Sequence, residues 1–225
     1  MPSGKNKLKK NRSGKRPSGK AKRRHASSPG NQWDDHLTRR ARAENYPARS
    51  VYKLEEIQKK FKILRSGDRV LDLGCAPGSW LLYASKQVGM QGRVFGIDLK
   101  DVEIQLPANV RVIRDNILKV EDTVFLGDLT GLDVVLSDMA PATTGRKDVD
   151  ALRSAALCEM ALDTAETCLS ANGHFVCKIF QGNEFNLFQK TVQARFKTCK
   201  IFKPESCRKQ SKEIYIIAKY KKQGG

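Results

Sequence analysis

The stretch Asp72-Leu73-Gly74-Cys75-Ala76-Pro77-Gly78-Ser79-Trp80 narrows the possible folds of this chain more than any other. A short apolar run, Asp68-Arg69-Val70-Leu71, precedes it and reads as a buried strand. Leu81 to Val88 follows and reads as a helix. A strand, a glycine turn and a helix in that order bring backbone close to a ligand in α/β folds. Gly74 and Gly78 carry no Cβ, so they can adopt the backbone angles such a turn needs. No Lys-Ser/Thr follows the second glycine, which excludes a Walker-type phosphate loop. The spacing also departs from Gly-x-Gly-x-x-Gly, which weakens a dinucleotide reading.

Asp98 lies 20 residues beyond Gly78, at the end of a second strand, Arg93 to Ile97. An acid there can accept hydrogen bonds from two ribose hydroxyls. A nucleoside without a pyrophosphate fits best, and S-adenosylmethionine is the expected cofactor. Two further strands end in carboxylates, Val110 to Arg114 at Asp115 and Asp133 to Ser137 at Asp138. Acids at three successive strand ends line the edge where open parallel sheets bind ligands. A polar helix or loop is expected after Asp115.

The rest of the chain supplies helices and an irregular sheet edge. Asp34 to Ala43 reads as a short helix with a basic face, and Pro47 breaks it. Val51, Leu54, Ile57, Phe61 and Leu64 recur every three or four residues, an amphipathic helix with its stripe on the core. Asp150 to Ser170 reads as a long helix with Leu152 among its apolar positions. His174 to Phe180 is the fifth strand, Glu184 to Ala194 a modest helix, and 200–202 and 214–218 the last strands, which suit a two-strand antiparallel end to the sheet. Lys178 interrupts an otherwise apolar strand, and a buried charge is costly unless paired or neutral. Lys53 beside Leu54, and Glu213 at a strand edge, are weak signals alone; snorkelling and solvation explain such residues equally well.

Composition places the partner. The 225 residues carry 42 Lys or Arg against 24 Asp or Glu, a formal net charge of +18. Residues 1–30 hold eleven of those cations and no acid, so this segment is expected to be a disordered basic tail ahead of one domain over 31–225. Beyond it the chain is still basic, which points to a polyanion, nucleic acid first. A basic tail also suits an anionic membrane, but this one has no large apolar residue after Leu8. No stretch approaches the roughly 20 apolar residues of a spanning helix. The six cysteines form no Cys-x-x-Cys pair and only three histidines are present, so no metal site is expected. Free thiols suit a reducing cytoplasm.

Several segments, taken in order, match one family. They are Arg49-Ser50-x-x-Lys53-Leu54-x-Glu56-Ile57, Asp72 to Trp80, Ser137-Asp138-Met139-Ala140-Pro141, Lys178-Ile179-Phe180-Gln181-Gly182, and Lys203-Pro204-Glu205-Ser206 through Ser211-x-Glu213-x-Tyr215. Over residues 34 to 220 the chain resembles the RrmJ/FtsJ ribose 2′-O-methyltransferases, heat-shock enzymes that modify a uridine of large ribosomal RNA. The resemblance implies an α/β, Rossmann-like methyltransferase fold: a seven-stranded, mostly parallel sheet with one antiparallel strand. It implies a catalytic set of Lys53, Asp138, Lys178 and Glu213. It assigns the cofactor to Gly78, Trp80, Asp98, Asp115 and Asp138, with Gly74 in the same loop. Ribosomal RNA or the large ribosomal subunit is the implied partner of what should be a monomer. Arg39, Arg40, Arg42, Arg49 and the tail are expected to hold phosphates. Transfer RNA, a messenger cap and a non-catalytic assembly role are the competing readings.

Overall fold

The computed structural model describes residues 29–116 and 129–223, with side chains from His36 onward. Residues 1–28 of the expected tail, and the polar segment expected after Asp115 apart from Asn116, lie outside the described residues. The chain runs α1 (Pro29–Ala43), α2 (Val51–Phe61), β1 (Arg69–Leu73), α3 (Ser79–Val88), β2 (Arg93–Asp98), β3 (Val110–Arg114), β4 (Leu132–Ser137), α4 (Lys147–Cys168), β5 (Leu169–Phe180), α5 (Phe185–Arg195), β6 (Phe196–Phe202) and β7 (Glu213–Lys221).

The strands form one seven-stranded sheet in the order β3-β2-β1-β4-β5-β7-β6. The pairs β1–β2, β2–β3, β1–β4 and β4–β5 are parallel. Strand β7 runs antiparallel to both neighbours, so it is the single reversed strand. Reversal has a functional consequence. The first residue of β7, Glu213, pairs with Phe180 at the end of β5. The start of β7 thus joins the carboxyl edge shared by the six strands that run the other way.

Alternation along the strands builds two cores. Leu71, Phe95, Val135 and Phe175 face α4 and α5, while Val70, Val94, Val134 and Val176 face α2 and α3. Leu54 and Ile57 of α2 are completely buried, each stabilising the docked helix by roughly 1.5–3 kcal/mol. Leu64, expected on the α2 stripe, is buried but lies beyond the helix. Lys62 takes a left-handed conformation (φ 53°, ψ 57°) and ends α2. The Gln58 amide then donates to Leu64 O (2.7 Å) and accepts from Leu64 N (2.8 Å), which seals that end.

Two expectations for α4 need correction. It stops at Cys168, and Leu169 begins β5 immediately. Leu152, read as an apolar core position, is 57% exposed.

Candidate active site

Register explains how four separated residues meet. Ser137 of β4 pairs with Cys177 of β5, so Asp138, one residue on, lies beside Lys178. Lys178 in turn pairs with Tyr215 of β7, and paired residues stand side by side on one face. Lys178 Nζ contacts Asp138 Oδ1 at 2.9 Å and also donates to the main-chain carbonyl of Asp138. The Tyr215 hydroxyl donates to the same carboxylate at 2.6 Å. Two residues before Tyr215, Glu213 Oε2 accepts from Lys53 Nζ at 2.9 Å.

The segment carrying Lys53 is fastened to the start of α3. Ser79 Oγ accepts from Ala48 N (2.8 Å) and donates to Ala48 O (3.0 Å). The buried Trp80 indole donates to Ser50 O at 2.9 Å. Trp80 therefore braces α2, a function in addition to any it has toward the cofactor. Helix α2 fastens the loop before Glu213 in its turn. Glu56 accepts from the backbone N–H groups of Glu205 and Ser206 (2.6 and 2.9 Å), and Arg49 donates to Ser206 O (2.8 Å).

Burial and charge act against each other here. Burial opposes ionisation of Asp138, but Lys178, Lys53 and the Tyr215 hydrogen bond overrule it and hold the carboxyl below its ordinary value. Burial likewise works to discharge Lys53, and the carboxylates of Asp138 and Glu213 overrule it, so Lys53 is held as an ammonium. Burial and the nearby carboxylates of Asp138 and Glu213 push the Tyr215 phenol well above its usual value, which keeps it a hydrogen-bond donor.

The glycine loop lies at the same edge. Gly74 has φ +75°, and a Cβ there would come within 2.5 Å of Met139 Cγ, next to Asp138. Gly78 has φ +108°, and its Cβ would meet Ile104 Cδ1 at 2.5 Å. Asp98 accepts from Ala76 N (2.9 Å) and Lys100 N (2.8 Å), fixing the loop while each oxygen keeps a further lone pair. Asp115 follows β3, its own N–H donating to Asp98 O at 3.1 Å.

Asp72, which opens the glycine stretch but was not singled out as a site residue, stands out. It is 1% exposed and neither carboxylate oxygen has a hydrogen-bond partner among the described residues. Burial, Asp138 and Asp98 together push its carboxyl well above the ordinary range. Its position directly before Leu73-Gly74 was the available signal.

The phosphate-contact expectation is divided. Arg39 and Arg42 are exposed on α1. Arg40 pairs with Glu44 (2.7 Å) and sits over the Tyr52 ring (4.3 Å), and Arg49 is tied to the β6–β7 loop. Among the described residues no His, Cys, Asp and Glu cluster could hold a metal.

The sequence pattern of one family, FtsJ-like methyltransferase, matches residues 46–221. This chain belongs to that family. As an FtsJ-like methyltransferase it uses S-adenosylmethionine, whose net positive charge suits the acid-lined edge and the unpartnered Asp72 carboxylate. Among its relatives is the ribosomal RNA large subunit methyltransferase E of Desulforapulum autotrophicum, 59% identical over 85% of this chain and 95% of that protein. The protein of the same name from Desulfatibacillum aliphaticivorans is 56% identical, over 87% and 94%. A solved structure from Plasmodium falciparum, described as a ribosomal RNA methyltransferase, superposes with a TM-score of 0.68 at 27% identity, covering 78% of this chain and 98% of that one. In this FtsJ-like chain the reversed β7 brings Tyr215 beside Lys178 and Glu213 to Lys53.

Proposed function

We propose that this protein methylates a ribose 2′-hydroxyl of large-subunit ribosomal RNA, at a uridine, with Lys178 as general base. The observation that carries the reading is the contact of Lys178 Nζ with both Asp138 Oδ1 and Asp138 O. A neutral lysine has two N–H bonds and one lone pair. With both N–H bonds engaged by Asp138, the lone pair is the group left to receive the hydroxyl proton. Asp138 then stabilises the ammonium that forms.

Lys53, held charged by Asp138 and Glu213, offsets part of the Asp138 charge. Tyr215 shares the same carboxylate and fixes its orientation. Gly74, Gly78, Trp80, Asp72, Asp98, Asp115 and Asp138 would hold S-adenosylmethionine, the two glycines through close backbone approach and the acids through its ribose and its cationic groups. When bound, the cofactor supplies an electrophilic methyl on a sulfonium. Alignment of the 2′-oxygen with that methyl contributes much of the rate in reactions of this kind. The relatives named for the large ribosomal subunit support the choice of RNA. Such a site is cytoplasmic in a bacterium, and among the described residues no helix is long and apolar enough to cross a membrane.

The test is transfer of labelled methyl to large ribosomal subunits, naked ribosomal RNA and transfer RNA, with the labelled nucleotide mapped. The expected result is a 2′-O-methyluridine in ribosomal RNA, with turnover reduced about 10²- to 10⁴-fold by Lys178→Ala while cofactor binding persists. Label in transfer RNA alone, or RNA binding with no label, would replace this reading.

A further inference from the structure

A cavity of about 410 Å³ opens at the same sheet edge, between the start of α4 and the turn from β5 to α5, and is lined among others by Lys147, Leu152, Gln181, Asn183, Glu184 and Lys212. None of these residues belongs to the catalytic set or the glycine loop. The cavity is joined through the chain to the catalytic set. Lys212 directly precedes Glu213, and Gln181 lies three residues beyond Lys178, on the order of 10 Å along an extended chain.

Its walls are built, not loose. Gln181 N donates to Lys212 O (3.0 Å), joining the two sides. Phe180 N donates to Ser154 Oγ (3.0 Å), and Asp150 accepts from both the N–H and the hydroxyl of Thr144 (2.8 Å each). Gly182 sits so close to α4 that a Cβ there would lie 2.5 Å from Ala151 Cβ. Set in this frame, the side-chain amides of Gln181 and Asn183 are exposed and make no hydrogen bond among the described residues. Leu152, 57% exposed, gives the cavity an apolar flank.

We propose that this cavity receives the base of the nucleotide next to the methylated ribose, in a single-stranded stretch of RNA. The inference rests on the methylation reading above and deepens it. Size agrees, since pockets for small organic groups run from about 300 to 1,000 Å³. Charge agrees as well. The lining carries two lysines, Lys147 and Lys212, and two acids, Asp148 and Glu184. Such balance suits an uncharged base better than a free polyphosphate. Side-chain amides and a carboxylate match the donor and acceptor edges of a base, an apolar flank matches its face, and a lysine can hold the phosphate between it and the target.

The experiment uses the full chain and RNA fragments containing the mapped ribose, with each of the four bases in turn on either side of it. Wild type should discriminate among bases at one neighbouring position by about tenfold or more in kcat/KM. Gln181→Ala/Asn183→Ala should collapse that spread, with cofactor affinity unchanged; both side chains are exposed, so the fold should tolerate their loss. Wild type indifferent to both neighbours, or a double variant that keeps the spread, overturns the cavity assignment and leaves methylation standing. Failure of wild type to methylate any fragment or subunit overturns the underlying reading, and this one with it.

Discussion

Asp138 gathers two donors, the Lys178 amine and the Tyr215 hydroxyl, so its protonation state bears on the assembly of the site. Its carboxyl is held below the usual value near 3.8. The stabilisation it contributes is therefore present above that pH and is lost as pH falls through the folded value. Tyr215→Phe removes one of the interactions that keep it ionised. The acid limb of the rate profile should move to higher pH, and turnover should fall more than cofactor affinity; parallel kcat and cofactor titrations across acidic pH check this. Asp72 has the opposite sign. Its folded value lies well above 3.8, so an ionised Asp72 destabilises the folded chain at neutral pH, and the penalty fades as pH drops. Asp72→Asn should raise the melting temperature of the cofactor-free protein at pH 7, by a margin that closes toward acid pH. The same change should weaken S-adenosylmethionine binding about tenfold, a loss of the order of 1–3 kcal/mol for a charge-assisted contact. Equal affinity in the variant would remove Asp72 from the cofactor site.

These two residues show what local pattern can and cannot reveal. Lys178 was conspicuous because a cation broke an apolar strand. Lys53 and Glu213 carried no such mark, since their meaning lies in a pairing across 160 positions of sequence. Asp72 headed the glycine stretch without being marked, because nothing in sequence tells which acids lack a partner.

Helices and strands were more legible than their ends. Every strand was anticipated, with β3 at its observed bounds, because apolar runs and alternation reflect burial directly. The boundary between α4 and β5 was misplaced, since no glycine or proline separates Cys168 from Leu169. The order in which strands pair, with β7 inserted between β5 and β6, depends on long-range packing and left only the hint of a final hairpin. The bracing around α2 was equally hidden. Glu56 and Arg49 recur in the quoted motifs, yet their task is to clamp residues 205 and 206 ahead of Glu213. Glu56→Ala should therefore reduce kcat several-fold through a misplaced Lys53–Glu213 pair while costing only about 1 kcal/mol of stability. Rate and denaturant midpoint measured together separate the two effects.

For the molecule as a whole, charge sets the encounter with RNA. The net +18 falls disproportionately on the first thirty residues, where eleven cations meet no acid. Deleting residues 1–28 should weaken RNA binding at low salt about tenfold or more and flatten its salt dependence, by roughly 0.7 in log–log slope for each lost phosphate contact on a single strand. Cofactor affinity should not change. An unaltered slope in salt-titrated binding would dissociate the segment from RNA.

The reversed strand has a bearing on synthesis. Glu213 and Tyr215 arrive with the last strand in chain order, threaded between two already formed. Elements up to β5 can dock as they emerge, since chains fold from the amino end during translation. A nascent polypeptide that has reached only Phe202 thus possesses its glycine turn and both lysines, yet Lys53 lacks its Glu213 partner and Asp138 its phenol. On the proposed mechanism, products truncated before β7 would be inert copies rather than slow enzymes.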